Sequence, residues 1–136
     1  MTAVNLRPYA LPVGNRWNPT RETRAMKLIT LDNAPDYDPE QLVAQPFLDG
    51  TQLNARVIRL SPGQVLPPHT HGVSELMLYA AEGEGLLESD HGPVRFRTGC
   101  LVLLSGDEEL RISNPGDIGL TLLAFLAPPF PPPTDT

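Results

Sequence analysis

The chain has 136 residues, of which 40% are hydrophobic, so it is long enough for one domain with one modest core. Its 16 prolines, about 12% against a typical level of about 5%, exclude a mostly helical bundle, because proline removes a backbone donor and clashes inside a helix. The net charge is −6, and the acidic excess after Lys27 excludes a nucleic-acid surface there, since phosphate contacts need clustered lysine and arginine.

The first 24 residues have no helical or strand period, and their prolines favour extended backbone. They predict a basic, extended arm whose Tyr9 and Trp17 dock on an apolar surface of this subunit or of a second one. Residues 25–31 predict a short strand. Asp38 followed by Pro39 is typical of a helix start, and Pro46 would end that helix.

After this region the sequence alternates between short apolar segments and turns rich in Gly, Pro, Asn and Asp. This rhythm predicts an all-β sandwich or barrel. The predicted strands are 53–60, 74–80, 86–89, 94–97, 100–104, 109–114 and 119–127. The predicted organisation is therefore an extended arm (1–24), a β-barrel domain (25–127) and a Pro-rich tail (128–136) of polyproline II type.

Two of the three histidines lie close to a glutamate, in the segment His69-Thr-His71-Gly-Val-Ser-Glu75. Side chains at even separation in a strand share a face, so the three converge if the backbone stays extended. Two imidazoles and a carboxylate form a ligand set suited to Fe, Mn, Zn or a related divalent metal, with positions left open for substrate. The alternative interpretation is three polar residues in a proline-flanked loop.

This segment resembles the first motif of the cupin superfamily, G-x5-H-x-H-x3,4-E-x6-G. Its first part is matched at the family's spacing by Gly63, His69, His71 and Glu75. Gly83 follows the glutamate after seven residues instead of six, which predicts a bulge or shifted register between Tyr79 and Glu82.

The second cupin motif, G-x5-P-x-G-x2-H-x3-N, is degraded here. Thr98 stands where the proline is expected, and counting back from Asn114 places Leu110 at the position of the motif's histidine. In metal-binding members of the family that histidine is a fourth ligand. The site is then a three-ligand one, recruits Glu108 or Glu109, or binds metal weakly.

The resemblance covers about residues 53–127 and implies a double-stranded β-helix, the jelly-roll barrel of cupins, assembled as a homodimer. It also implies a divalent metal, with Fe, Mn, Zn and Ni all open, held by His69, His71 and Glu75. A metal-dependent enzyme of oxygenase, isomerase or lyase type would act on a small organic molecule. A dioxygenase-like activity is preferred because the ligand set matches the non-haem iron triad. The alternative is a non-catalytic ligand-binding or sensor cupin with weak or no metal.

Four further residues are candidates for contact with a small-molecule ligand. Tyr79 and Met77 share parity with Glu75, and Tyr79 is also the one catalytic candidate. Leu110 would line the pocket, and Arg56 or Arg59, which point to opposite faces, would bind an anionic group.

Two further residues have simple structural interpretations. His91 lies in a polar turn and Cys100 begins an apolar strand, so a solvated histidine and an inert thiol are expected.

One cysteine gives no intramolecular disulfide, and no apolar run approaches the length of a membrane span. We therefore expect a cytoplasmic protein without a membrane or nucleic-acid partner.

Overall fold

The computed structural model describes residues 26–132, in which two antiparallel sheets enclose a common core. The strands are β1 (Val43–Asp49), β2 (Asn54–Leu60), β3 (Val65–His69), β4 (Glu75–Glu82), β5 (Glu84–Ser89), β6 (Gly92–Arg97), β7 (Leu101–Leu104), β8 (Leu110–Ser113) and β9 (Leu120–Ala127). One sheet has the order β1-β2-β9-β4-β7, and the other has the order β3-β8-β5-β6. The predicted all-β, jelly-roll architecture is confirmed.

Alternation of side chains along the strands builds the core. In β4, Leu76, Leu78 and Ala80 are fully buried, while Met77 between them is 40% exposed. The inward positions of both sheets are apolar, so burial of one face stabilises each strand. The core consists of Ile58, Leu60, Leu66, Leu76, Leu78, Ala80, Leu87, Phe96, Leu104, Leu110, Ile112, Leu120, Leu122, Ala124 and Leu126.

The corner between β4 and β5 lies at Gly83, whose φ of 81° is a conformation that other residues rarely adopt. Just before it, the pairing of β4 with β9 shifts register between Ala80 and Glu82. The irregularity predicted near Tyr79 to Glu82 is confirmed.

Two strands escaped prediction because both contain proline. β1 includes Pro46, where its pairing with β2 becomes irregular, and β3 includes Pro67 and Pro68. Each lies at the edge of its sheet, where the N–H group that proline lacks is not needed for pairing between inner strands.

The predicted strand over 25–31 and the helix after Asp38 are wrong for the described residues. Residues 26–30 have no regular structure, and Leu31–Asn33 forms one 3-10 turn. The Asp38 carboxylate accepts a hydrogen bond from the Glu40 backbone N–H at 2.8 Å, which makes a local turn, and no helix follows.

The predicted arm, residues 1–24, lies outside the described residues, as does the end of the tail beyond Pro132. From Met26 to Pro132, no helix is both long and apolar enough to cross a membrane.

Candidate functional site

The two motif histidines meet at one end of the barrel. His69 ends β3, and its Nδ1 donates a hydrogen bond to the Pro67 carbonyl oxygen at 2.8 Å. His71 lies two residues later, and its backbone N–H donates to the Gly106 carbonyl oxygen at 2.8 Å. The ring centroids are 4.6 Å apart in an edge-to-face arrangement. The structure therefore brings together two of the three predicted metal ligands.

His71 is buried with an unmade hydrogen bond. Its side chain is enclosed, with 3% of the residue exposed, and its Nδ1 has no hydrogen-bond partner among residues 26–132. Burial lowers the pKa of His71 below its ordinary value, and the neighbouring His69 lowers it further. Both effects favour the uncharged imidazole. A buried polar atom without a partner is costly, so this nitrogen distinguishes His71 from the other buried polar side chains of the described residues.

Glu75 does not join the histidines, because the backbone does not stay extended between them. The chain turns at Gly72, where φ is 63°, and the Ser74 N–H donates to the His71 carbonyl oxygen at 3.0 Å. Compared with an extended backbone from His71 onward, this turn shifts by one residue which side chains of β4 face the barrel interior. Glu75 is exposed, and Leu76, with no exposed surface, faces the barrel.

The register at the start of β4, and not the irregularity before Gly83, explains the late glycine of the motif. When four residues separate His71 from the carboxylate position, that position is Leu76, and Gly83 then follows after the required six residues. The fourth-ligand position is also apolar, because Leu110 is 1% exposed and pairs with His69 across the β3–β8 ladder. Leucine therefore occupies both remaining ligand positions.

The two glutamates considered as substitute ligands are directed elsewhere. Both are exposed, and the Glu108 carboxylate accepts a hydrogen bond from the Ser105 N–H at 2.7 Å. Glu109 forms an ion pair with Arg111 at 2.5 Å. Between residues 26 and 132, no three His, Cys, Asp or Glu side chains are placed to hold a metal ion. Two imidazoles fall short of the three protein ligands typical of catalytic metal sites, so this donor set does not fit the expected centre.

A cationic side chain lies beside the histidines. Arg56 projects from β2 into a small internal space of about 40 Å³ whose walls include His69, His71, Leu76 and Leu110. Arg59 lies on the opposite face, where it donates to the Pro35 carbonyl oxygen at 2.8 Å. Of the two arginines considered from sequence, Arg56 is the one that faces the pocket.

The chain after β9 covers this space. Asn54 is buried and holds Phe130 by both backbone groups, donating to its carbonyl oxygen at 2.8 Å and accepting from its N–H at 3.0 Å. Ser74 donates to the Pro128 carbonyl oxygen at 2.6 Å. The Phe130 ring packs edge-to-face on His71, with centroids 5.2 Å apart, so the tail closes the end of the barrel.

A larger cavity of about 550 Å³ lies against this cover. Its lining comes from the β1–β2 loop, the turn after β3 and the residues from Pro128 to Pro132. His71 and Phe130 line both this cavity and the inner one. Sequence reasoning missed Phe130 and Asn54 as site residues. Phe130 is the single aromatic residue among the prolines of the tail, and this was the feature of the sequence that could have indicated a packing role.

The other candidates lie away from this pocket. Met77 pairs with Leu103, and Tyr79 with Leu101, on the outer face of the five-stranded sheet. His91 is exposed in the β5–β6 turn. Cys100 is a free, half-buried thiol that packs against the core.

Comparison with solved structures identifies the fold. An RmlC-like cupin protein from Desulfovibrio desulfuricans superposes with a TM-score of 0.68 at 23% identity, covering 77% of this chain and 99% of that one. A Klebsiella pneumoniae protein with a double-stranded β-helix domain gives 0.69 at 14% identity, over 76% and 90%. The cupin domain of an XRE-family transcriptional regulator from Enterobacter cloacae gives 0.55 at 18%, over 63% and 95%. No family model and no curated protein matches the sequence. The chain has the fold of the cupin superfamily.

Proposed function

We propose that this cupin is a small-ligand-binding module that works without a bound metal ion. The observation that carries the proposal is the buried His71. Its ring lines a pocket in which leucines stand at the remaining metal-ligand positions, and its Nδ1 has no hydrogen-bond partner among residues 26–132. Apolar walls with a few polar groups are the usual composition of a small-molecule site. The polar groups available here are the two imidazoles and Arg56.

The competing function is the metal-dependent, dioxygenase-like activity expected from the motif. It requires a third ligand beside His69 and His71, and the register of β4 places the Leu76 side chain where the carboxylate would be. A guanidinium beside the histidines also opposes the approach of a divalent cation. These features favour a ligand-binding module over a metal enzyme.

Thermal unfolding of the full-length protein tests the proposal. The wild type is heated with a panel of small organic acids, amides and amines, and separately with Fe²⁺, Mn²⁺, Zn²⁺ and Ni²⁺. A ligand at 100 times its Kd adds about 2.7 kcal/mol, which raises the Tm of a chain of this length by roughly 10 °C. We expect such a shift from an organic compound and none from the metals.

Histidine variants separate the pocket from the surface. His71→Gln should abolish the shift caused by the organic compound, whereas His91→Gln, an exposed turn position, should retain it. The proposal is overturned if no organic compound shifts the Tm. It is also overturned if a divalent metal stabilises the wild type and His71→Gln removes that effect.

A further inference from the structure

Three of the five arginines in the described part of the chain form ion pairs with carboxylates. After Lys27 the sequence has five arginines against fifteen acidic residues. Arg59 lies 3.6 Å from Glu82, Arg95 lies 2.6 Å from Glu84, and Arg111 pairs with Glu109. Acidic partners are therefore abundant. Arg97 forms no ion pair among the described residues either, but it is exposed to solvent on β6.

Arg56 differs from these arginines in its surroundings. It is half-buried, its neighbours in the cavity wall are histidines and apolar residues, and within the described part of the chain it forms no ion pair. A guanidinium held in an apolar wall without an acidic partner is well suited to bind an anion from outside the chain.

We infer that the ligand of this pocket is a small organic carboxylate whose charged end is bound by Arg56 and whose apolar body packs against Leu76 and Leu110. This inference rests on the proposed function and adds the chemical class of the ligand. The His71 imidazole lines the same space and is a second polar group there. One guanidinium balances one negative charge, which favours a monocarboxylate over a phosphate dianion.

The size of the inner space limits how the ligand enters. About 40 Å³ accommodates one or two water-sized groups, which is enough for a polar head alone. The body of a larger acid therefore requires the Phe130 ring to move from the end of the barrel toward the outer cavity.

Pairs of compounds with the same shape but different charge provide the test. Isothermal titration of the full-length wild type compares benzoate with benzamide and propionate with propionamide, and includes inorganic phosphate as a separate titrant. We expect each acid to bind about 10- to 100-fold more tightly than its amide, as a charged hydrogen bond predicts. Equal affinity for acid and amide, or tighter binding of phosphate, would overturn the inference.

An arginine substitution assigns the effect to the pocket. Arg56→Gln should weaken binding of the acid by about 10- to 100-fold and leave the amide unchanged. Arg97→Gln removes the same charge from an exposed position on β6 and should leave both affinities unchanged. Loss of acid binding in both variants would contradict a specific role of Arg56.

The outcomes keep the two proposals distinguishable. If amides bind as well as acids and His71→Gln abolishes both, the ligand class is wrong and the ligand-binding function stands. If neither acids nor amides bind, the carboxylate class is wrong, and the ligand-binding function fails only if no compound of the thermal-unfolding panel shifts the Tm.

Discussion

At the scale of single residues, one turn decides what the motif histidines can do. Gly72 reverses the chain after His71, and the register that results turns Leu76 inward and Glu75 outward. A one-residue shift in a strand exchanges its two faces. The sequence therefore still contains the motif's glutamate, but its carboxylate points out of the barrel. Gly106 holds this turn in place, because its carbonyl oxygen accepts the His71 N–H.

A substitution at Gly106 tests the close backbone packing around this turn. A Cβ at this position would collide with the Gly72 carbonyl oxygen and lie 2.7 Å from that of Ser74. Because both obstacles are backbone atoms, we expect Gly106→Ala to lower the free energy of unfolding by about 1–3 kcal/mol, measured by urea denaturation.

Gly116→Ala is the matched control, since its Cβ would meet only the Asn114 side chain at an ordinary 3.5 Å. It should change the free energy of unfolding by less than about 0.5 kcal/mol. Equal effects of the two substitutions would show that the backbone contact at Gly106 does not support the turn.

At the scale of elements, the C-terminal segment is a cover for the pocket. The residues from Pro128 to Pro132 follow β9 directly and are held to β2 and to the β3–β4 turn by Asn54 and Ser74. Composition predicted a polyproline tail, but it gave no indication that the tail would lie on the histidines. Such a long-range contact depends on the side-chain amide of Asn54, 76 residues away.

Removing the ring of the cover tests its role. Phe130→Ala should enlarge the inner space, and we expect benzoate to bind about threefold or more tightly, because the ligand no longer displaces the ring. Isothermal titration measures the change. Phe47→Ala, on β1 and outside both cavities, should leave the affinity unchanged. Weaker binding by Phe130→Ala would mean that the ring contacts the ligand instead of covering its site.

Element prediction succeeded where strands are apolar and failed where proline interrupts them. β2 and β4 to β9 follow the predicted segments. Their alternating or continuous apolar residues are those of a strand with one or both faces buried. β1 and β3 carry prolines that sequence rules read as breaks, and only their position at sheet edges makes those prolines acceptable.

At the scale of the whole molecule, the fold could be predicted and the state of the site could not. The spacing of Gly63, His69 and His71 was enough to indicate a cupin barrel, since spacing reflects the strand-turn-strand path. Whether a carboxylate reaches the barrel interior depends on one residue of register, which the motif's allowance of three or four residues leaves open. The absence of a histidine at Leu110 was visible in the sequence, and the structure shows that the position is buried beside His69.

The assembly of the molecule stays a prediction. Met77, Leu101 and Leu103 are exposed on adjacent strands of the outer sheet face. Apolar side chains grouped in this way commonly belong to interfaces, which agrees with the expected homodimer.

The metal content of the wild type and of Leu76→Glu, measured side by side, tests the central claim most directly. Both full-length proteins are incubated with excess Mn²⁺ or Ni²⁺, dialysed and analysed for bound metal. We predict below about 0.1 metal ion per chain for the wild type and a clear gain for Leu76→Glu, which places a carboxylate beside His69 and His71. About one metal ion per chain in the wild type, lost in His71→Gln, would contradict the account.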